Sequence, residues 1–297
     1  MAGNSQSSAQ SPNREAIVTA EASWTVIAAF ALVTAATLVL LPLLRESSMG
    51  SVLNGPPWYE NLILFVALLL ITVVAILGRW AKLGAASLGL RRDKLAQGLS
   101  TVVLVWLGMQ AWPFVASGSG EIANTWRDPG FWPTLRWAAV MILATALWEE
   151  VAFRGFLLPQ LYLKLKGRRW LRIAMALALS QLVFAIAHAP AHIAIRNLWG
   201  AELAQMLLLQ GIAGLMLGLL YLRTRNLWIV IGIHGLANAP TPLIGGAMGW
   251  EIPLLLLLVA WPWLARDRGA RGLADIRPSD RPAGDPLSGG AHRHEGA

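Results

Sequence analysis

Eight apolar runs, most of them close to the length of a bilayer crossing, divide this chain and leave it little freedom of fold. They lie at about 24–44, 58–78, 97–117, 134–158, 172–188, 203–222, 227–248 and 251–264. A helix rises 1.5 Å per residue, so roughly 20 residues cover a hydrocarbon core about 30 Å thick. In that core every backbone polar group must be bonded within the protein, which favours helices. The expected fold is therefore all-α, a polytopic membrane helix bundle of about eight transmembrane helices. The last run is short and holds Pro253 and Pro262, so tilt or a kink is expected there.

Composition agrees. With 56% hydrophobic and 13% charged residues, the chain is too apolar for a soluble domain of 297 residues. Many of its 15 tryptophans fall near the ends of runs, among them Trp24, Trp58, Trp80, Trp132, Trp170, Trp250 and Trp263. That placement suits an amphipathic ring at the headgroup boundary. The absence of cysteine excludes disulfides, thiolate metal sites and a cysteine nucleophile. The net charge of +8 resides mostly in short loops and the C-terminal tail, with no domain-scale basic surface, so no nucleic-acid partner is expected.

Loop charge orients the bundle, because short cytoplasmic loops carry the excess of Lys and Arg. The segment after the second run holds Arg79, Lys82, Arg91, Arg92 and Lys94, and the one after the fourth holds Lys164, Lys166, Arg168, Arg169 and Arg172. Arg223 and Arg225 follow the sixth run, and Arg266 and Arg268 the eighth. The other connections are nearly free of basic residues. Eight crossings with both termini in the cytoplasm satisfy the rule throughout. The expected organisation is a flexible lead-in over 1–22, a membrane domain over 23–265 with its chemistry-bearing core at about 134–240, and a disordered tail over 266–297. The GxxxG of Gly214 and Gly218 is read as close helix packing. Nothing in the sequence fixes an oligomeric state.

Few ionisable side chains fall well inside the apolar zone. They are Glu149, Glu150 and Arg154 in the fourth run, His188 at the end of the fifth, and His234 in the seventh. Such residues are costly in a bilayer and mark functional sites, so the three helices are expected to converge on one polar cavity. Glu150 and Arg154 stand four apart with the acid first, the favourable order for a pair, and are assigned to each other. Glu149 is turned about 100° away and is free to face something else. Phe153, one turn on, is expected to cover it from the cytoplasmic side. Phe184 shares a face with His188, as Asn238 does with His234.

A carboxylate, two imidazoles and a carboxamide in a dry site suit two chemistries. One is hydrolysis of an amide, with Glu149 as general base on a water that His188 also holds, and His234 and Asn238 donating to the developing oxyanion. The other is a zinc site, for which Glu149, His188 and His234 supply two histidines and one carboxylate with a position left open for water. No cofactor is favoured; zinc is the divalent metal the residues would take. His192 lies four residues after His188, but Pro190 stands between them and breaks the helix, so His192 is left out.

These positions resemble the type II CAAX prenyl endopeptidases and their bacterial relatives, the CPBP or Abi intramembrane proteases. Their pattern is EExxxR, FxxxH and HxxxN on three successive membrane helices. Here Glu149, Glu150 and Arg154 fit the first, Phe184 and His188 the second, and His234 and Asn238 the third. Leu88 to Arg92 also look like a short segment often found upstream. The resemblance implies an eight-helix intramembrane endopeptidase without a catalytic metal, in which Glu149 and His188 activate water and His234 and Asn238 form the oxyanion site. It further implies a membrane-associated protein or peptide as substrate and a bacterial inner (plasma) membrane as setting. Two rivals come from other classes: a proton- or ion-coupled transporter, and a catalytically silent membrane scaffold.

Depth along the helices poses a difficulty for this arrangement. Counted from the expected cytoplasmic ends, Glu149 lies about 14 Å in, His234 about 11 Å and His188 about 24 Å, too deep to meet the others without tilt.

Overall fold

The apolar runs fold as helices wherever proline and glycine permit, and the connections between them carry the punctuation. The computed structural model describes residues 16–45, 57–123, 130–245, 249–264 and 275–278. In chain order the helices are α1 (Trp24–Arg45), α2 (57–80), α3 (Leu95–Ser117), α4 (131–164), α5 (Arg169–Ala187), α6 (Ala189–Arg196), α7 (Gly200–Thr224), α8 (Leu227–Asn238) and α9 (Glu251–Leu264). Wider, π-type turns run through Leu69–Trp80 of α2 and through Met141–Ala146 and Val151–Leu157 of α4. In α4 they flank the two glutamates, and such turns recur at functional sites.

Four stretches are long and apolar enough to cross a membrane: Leu62–Trp80, Arg92–Ser117, Arg169–Ala194 and Gly200–Thr224. Their outward faces are hydrocarbon. Val103, Leu104 and Leu107 on α3, Leu182, Val183 and Ile186 on α5, and Leu208, Leu209 and Ile212 on α7 are all exposed. The polar and charged groups sit inside, among them Glu149, Glu150, Arg154, Ser180, Gln181 and His234. This distribution is the one a lipid solvent selects. Helix α8 is the central element, buried along nearly its whole length. Small residues let it approach its neighbours: a Cβ on Gly232 would lie 2.2 Å from Val102 of α3, and one on Gly235 2.5 Å from Ile142 of α4.

The seventh run is shorter as a helix than expected. It was predicted over 227–248, whereas α8 ends at Asn238, because Pro240 and Pro242 withdraw backbone donors and disfavour helical geometry before them. Non-helical backbone at this depth needs internal partners. Gln110 of α3 supplies them: its Oε1 accepts from Leu243 N at 2.6 Å and from Ile244 N at 3.4 Å. Trp106 Nε1 donates to Thr241 O at 3.2 Å, and an antiparallel bridge joins Ile244 to Ile122. Gln110→Leu leaves both amides without an acceptor. It is expected to lower stability by about 1–3 kcal/mol and to raise amide exchange over 243–245, measurable by hydrogen exchange in detergent or nanodiscs.

Two short strands depart from the expected lead-in and tail. Ala16–Thr19 (β1) pairs in parallel with Asp275–Pro278 (β2), Ile17 opposite Ile276. The remainder of 1–15, 265–274 and 279–297 lies outside the described residues. The pairing brings the segments before α1 and after α9 to one face of the molecule. There β1 packs on the turn Ala85–Leu88 and β2 on the end of α4. Gln160 of α4 fastens the chain just after β1, accepting from Ala22 N and donating to Ala20 O, each at 2.8 Å.

Candidate active site

Helix α4 carries the site because its sequence Trp148-Glu149-Glu150 puts two carboxylates on adjacent faces of a rod buried on both sides. Trp148 turns the other way, where its Nε1 donates to Thr72 Oγ1 of α2 at 3.0 Å and locks the rotation of α4. That rotation aims Glu149 at α5 and α8. Its Oε1 lies 3.9 Å from His188 Nε2, and its Oε2 lies 3.5 Å from His234 Nε2. Of the four side chains expected around one chamber, Glu149, His188 and His234 come together across three helices.

The difference in depth between Glu149 and His188 narrows with the true helix ends. Helix α4 continues to Lys164 rather than stopping near 158, and α5 begins at Arg169 rather than 172. Glu149 is then 15 residues from the loop and His188 19, about 22 and 28 Å at 1.5 Å per residue. Helix α8 starts at a buried Leu227 and is capped by Asn226, whose Oδ1 accepts from Trp228 N at 3.0 Å.

Hydrogen bonding assigns the imidazole protons. A carbonyl can only accept, so His188 Nδ1 donates to Phe184 O, 2.8 Å away, and its Nε2 is left facing Glu149. A carboxylate likewise only accepts, so His234 Nδ1 donates to Glu150 Oε1 at 2.6 Å. Both rings thus present Nε2 to Glu149, each oriented from behind by a different acceptor. Helix α5 ends at Ala187, one residue before His188, and the side chain of His188 is 21% exposed where that of Glu149 is 7%. The site therefore opens beside His188. Asn238, the last residue of α8, is exposed one turn beyond His234.

Glu150 and Arg154 are paired as expected, at 2.9 Å with both side chains fully buried. The sequence did not reveal that Glu150 also receives His234, so the ion pair is wired into the site. Nor did it reveal what holds Arg154. Its Nη2 donates to Gln181 Oε1 and to Gly214 O, each at 2.9 Å, and its guanidinium carbon stands 4.5 Å from the centre of the Phe184 ring. One signal was available: Gln181 is a polar residue inside the fifth run, three before Phe184 and seven before His188 on one helix face. Phe184 touches nearly every part, with ring centres 4.6 Å from His188, 6.4 Å from His234 and 5.0 Å from Phe153. Phe153 is buried between Phe184 and Trp148.

Pro190 does end α5, yet His192 is not removed from the neighbourhood. Pro190 occupies the first turn of α6, His192 N donates to His188 O at 3.1 Å, and the two rings lie 6.4 Å apart. Among the described residues, no three His, Cys, Asp or Glu side chains are grouped so as to hold a metal ion.

Residues 131–240, rather more than a third of the chain, match the family model described as type II CAAX prenyl endopeptidase Rce1-like. The chain carries an Rce1-like domain. Its limits enclose α4 to α8, and with them every residue of the three motifs. Comparison with curated proteins and with solved structures gave no significant match. The Rce1-like domain indicates a protease of the CAAX type and a membrane-associated peptide or protein as its substrate. Together with the four long apolar helices, it makes the chain an integral membrane protein.

Proposed function

We propose that the chain is an intramembrane endopeptidase that hydrolyses a peptide bond through a water activated by Glu149 and His188. The observation that carries this reading is the convergence of Glu149, His188 and His234 at 3.5 and 3.9 Å, inside a domain of a protease family. A separation of 3.9 Å is too long for a direct hydrogen bond and suits a bridging water. Glu149 and the Nε2 lone pair of His188 each accept one proton of that water, leaving an oxygen lone pair directed at the substrate carbonyl. As the oxygen adds to carbon, Glu149 takes the proton. The oxyanion accepts from His234 Nε2–H and from the Asn238 amide. Glu149 then delivers its proton to the amine as the C–N bond breaks.

One requirement follows from proton counting. His234 Nδ1–H is committed to Glu150, so the ring can offer Nε2–H only as the doubly protonated imidazolium. Glu150 is then the counter-ion that holds this form, and Arg154 fixes Glu150. The proposed orientation has eight crossings with both termini cytoplasmic. The β1–β2 pairing supports it, since an even number of crossings returns the chain to the side from which it started. We place the protein in a bacterial inner membrane, with a membrane-associated protein or peptide as its substrate.

A strain lacking the gene is expected to accumulate an uncleaved membrane protein, detected by membrane proteomics. Wild type, and not His188→Ala, should restore its processing. Equal rescue by both would overturn the reading. The rival zinc reading draws on the same Glu149, His188 and His234, although the three are not grouped so as to hold a metal ion. Cleavage by purified enzyme that survives exhaustive chelation, with no metal in the active protein, separates the proposed water mechanism from a zinc one.

A further inference from the structure

Among the described residues of the site, Arg154 is the one charged side chain with no direct line to the reacting groups, and its surroundings are built with more care than an ion pair requires. Glu150 Oε1 receives both Arg154 Nη1 at 2.9 Å and His234 Nδ1 at 2.6 Å, so one oxygen atom joins the guanidinium to the imidazole. The other side of the guanidinium is held by two helices that do not belong to the EExxxR or HxxxN segments. Gln181 of α5 accepts Nη2 through Oε1. The rest of that amide is also committed: Nε2 donates to Ser180 Oγ at 3.3 Å, and Ser180 Oγ donates to Phe153 O at 3.3 Å. The amide is thereby oriented with its oxygen towards Arg154. Gly214 of α7 supplies the third acceptor from its backbone.

Gly214 can do this only without a side chain. A Cβ there would lie 2.5 Å from Gln181 Oε1, 2.9 Å from Phe184 Cδ1 and 3.1 Å from Arg154 Nη2. These are three of the atoms that define the cradle. Gly218, one turn on, admits Leu177 and Gln181 in the same way, with a Cβ 2.5 Å from Leu177 Cδ1. The small-residue pair in α7 therefore brings its backbone within hydrogen-bonding reach of a buried charge.

From this we infer that Gln181 and Gly214 are positioning residues, which set the Glu150–His234 hydrogen bond by fixing the guanidinium of Arg154 from α5 and α7. The inference rests on the proposed hydrolytic mechanism for its catalytic consequence, and on geometry alone for its structural one. Neither residue reaches the substrate, so their loss acts on turnover rather than on binding. A fork free to shift towards a vacated acceptor draws Glu150 away from His234, which must keep its Nδ1 proton to act as an Nε2 donor. A misplacement of this kind costs on the order of 10²-fold in rate.

The test uses the full-length protein in nanodiscs with ¹⁵N-labelled histidine. Gln181→Met keeps the length of the side chain and removes the acceptor; Gly214→Ala adds the single obstructing atom. The low-field Nδ1–H resonance of His234, assigned by its loss in His234→Gln, is expected to move upfield or broaden in both variants, while that of His188 stays in place. On a cleaved membrane peptide, kcat should fall by about 10–100-fold at nearly constant KM. In a Glu150→Gln background the same substitutions should cause little further loss, since residues acting through one path are not additive. An unmoved His234 resonance in a monodisperse Gln181→Met protein overturns the inference, as does a loss of kcat that multiplies fully with that of Glu150→Gln. Should Gly214→Ala fail to fold, Gln181→Met carries the test by itself. Absence of cleavage by wild type would count against the proteolytic reading, while the resonance would still decide the positioning role.

Discussion

Glu149→Gln is expected to abolish cleavage while leaving the protein folded and monodisperse. The amide has nearly the volume of the carboxylate, and Glu149 has no short hydrogen bond that the fold depends on: its nearest ring nitrogens are 3.5 and 3.9 Å away. A group that accepts the proton of attacking water contributes about 10²–10⁴-fold in rate. Single-turnover cleavage of a membrane peptide, wild type against Glu149→Gln, measures it directly. The neighbouring Glu150→Gln makes the contrast. It removes the negative charge from the one oxygen that accepts from both Arg154 and His234, and leaves a fully buried guanidinium without its counter-ion. Its cost should appear in stability as well as in rate, at about 3–5 kcal/mol for an uncompensated buried charge. Equal behaviour of the two variants would contradict the division of labour between the adjacent acids.

The second large effect is expected at Gly155, one turn below the glutamates. A Cβ there would sit 2.3 Å from the carbonyl oxygen of Leu88 and 3.3 Å from Leu227 Cδ2. The first obstacle is backbone, in the turn Ala85–Leu88, whose following Gly89 holds a left-handed φ of 81°. No rotamer relieves it. Alanine gains up to about 1 kcal/mol over glycine in a helix interior, whereas overpacking costs about 1–3 kcal/mol, and more when the backbone must move. Gly155→Ala is therefore expected to destabilise, with a drop of several degrees in the thermal midpoint read by intrinsic tryptophan fluorescence. Gly108→Ala in α3 is the control of opposite sign. Nothing lies within 4 Å of its added atom, so only the helix-propensity gain operates. A fall of the midpoint at Gly108 equal to that at Gly155 would show that close approach to Leu88 is not the cause.

The Gly155 contact also gives a physical role to the stretch from Leu88 to Arg92. It was noted in the sequence only by likeness. In the structure it is the strap against which the rod bearing Glu149 and Glu150 seats: Leu88 and Gly89 pack on Gly155, Tyr221 and Leu227, and Arg91 O accepts from Trp228 Nε1 at 2.9 Å. Rod α4 and helix α8, which carry Glu149 and His234, are thus held to one another by a segment far away in sequence.

Periodicity along the chain made the helices and their order legible, because lipid demands long apolar runs. It also singled out Glu149, Glu150, Arg154, His188 and His234, since each is an expensive exception to the apolar rule. What it misjudged were helix ends. Lys164 still belongs to α4, because nothing in Leu161-Tyr162-Leu163 breaks a helix, and apolarity is not the same property as helicity. Asn238 ends α8 because Pro240 and Pro242 lie beyond it, although the sequence stays apolar.

The chain by itself determined which residues must find partners, since an unpaired charge at membrane depth has no solvent to satisfy it. Only tertiary structure decided who those partners are. Glu150 joins His234 as well as its helical neighbour Arg154, and Arg154 is completed by an amide on α5 and a bare carbonyl on α7. Such choices depend on helix rotation and on approach to within a hydrogen bond. These are fixed by packing of Trp148, Phe184 and the glycines of α7 and α8, and no single helix encodes them.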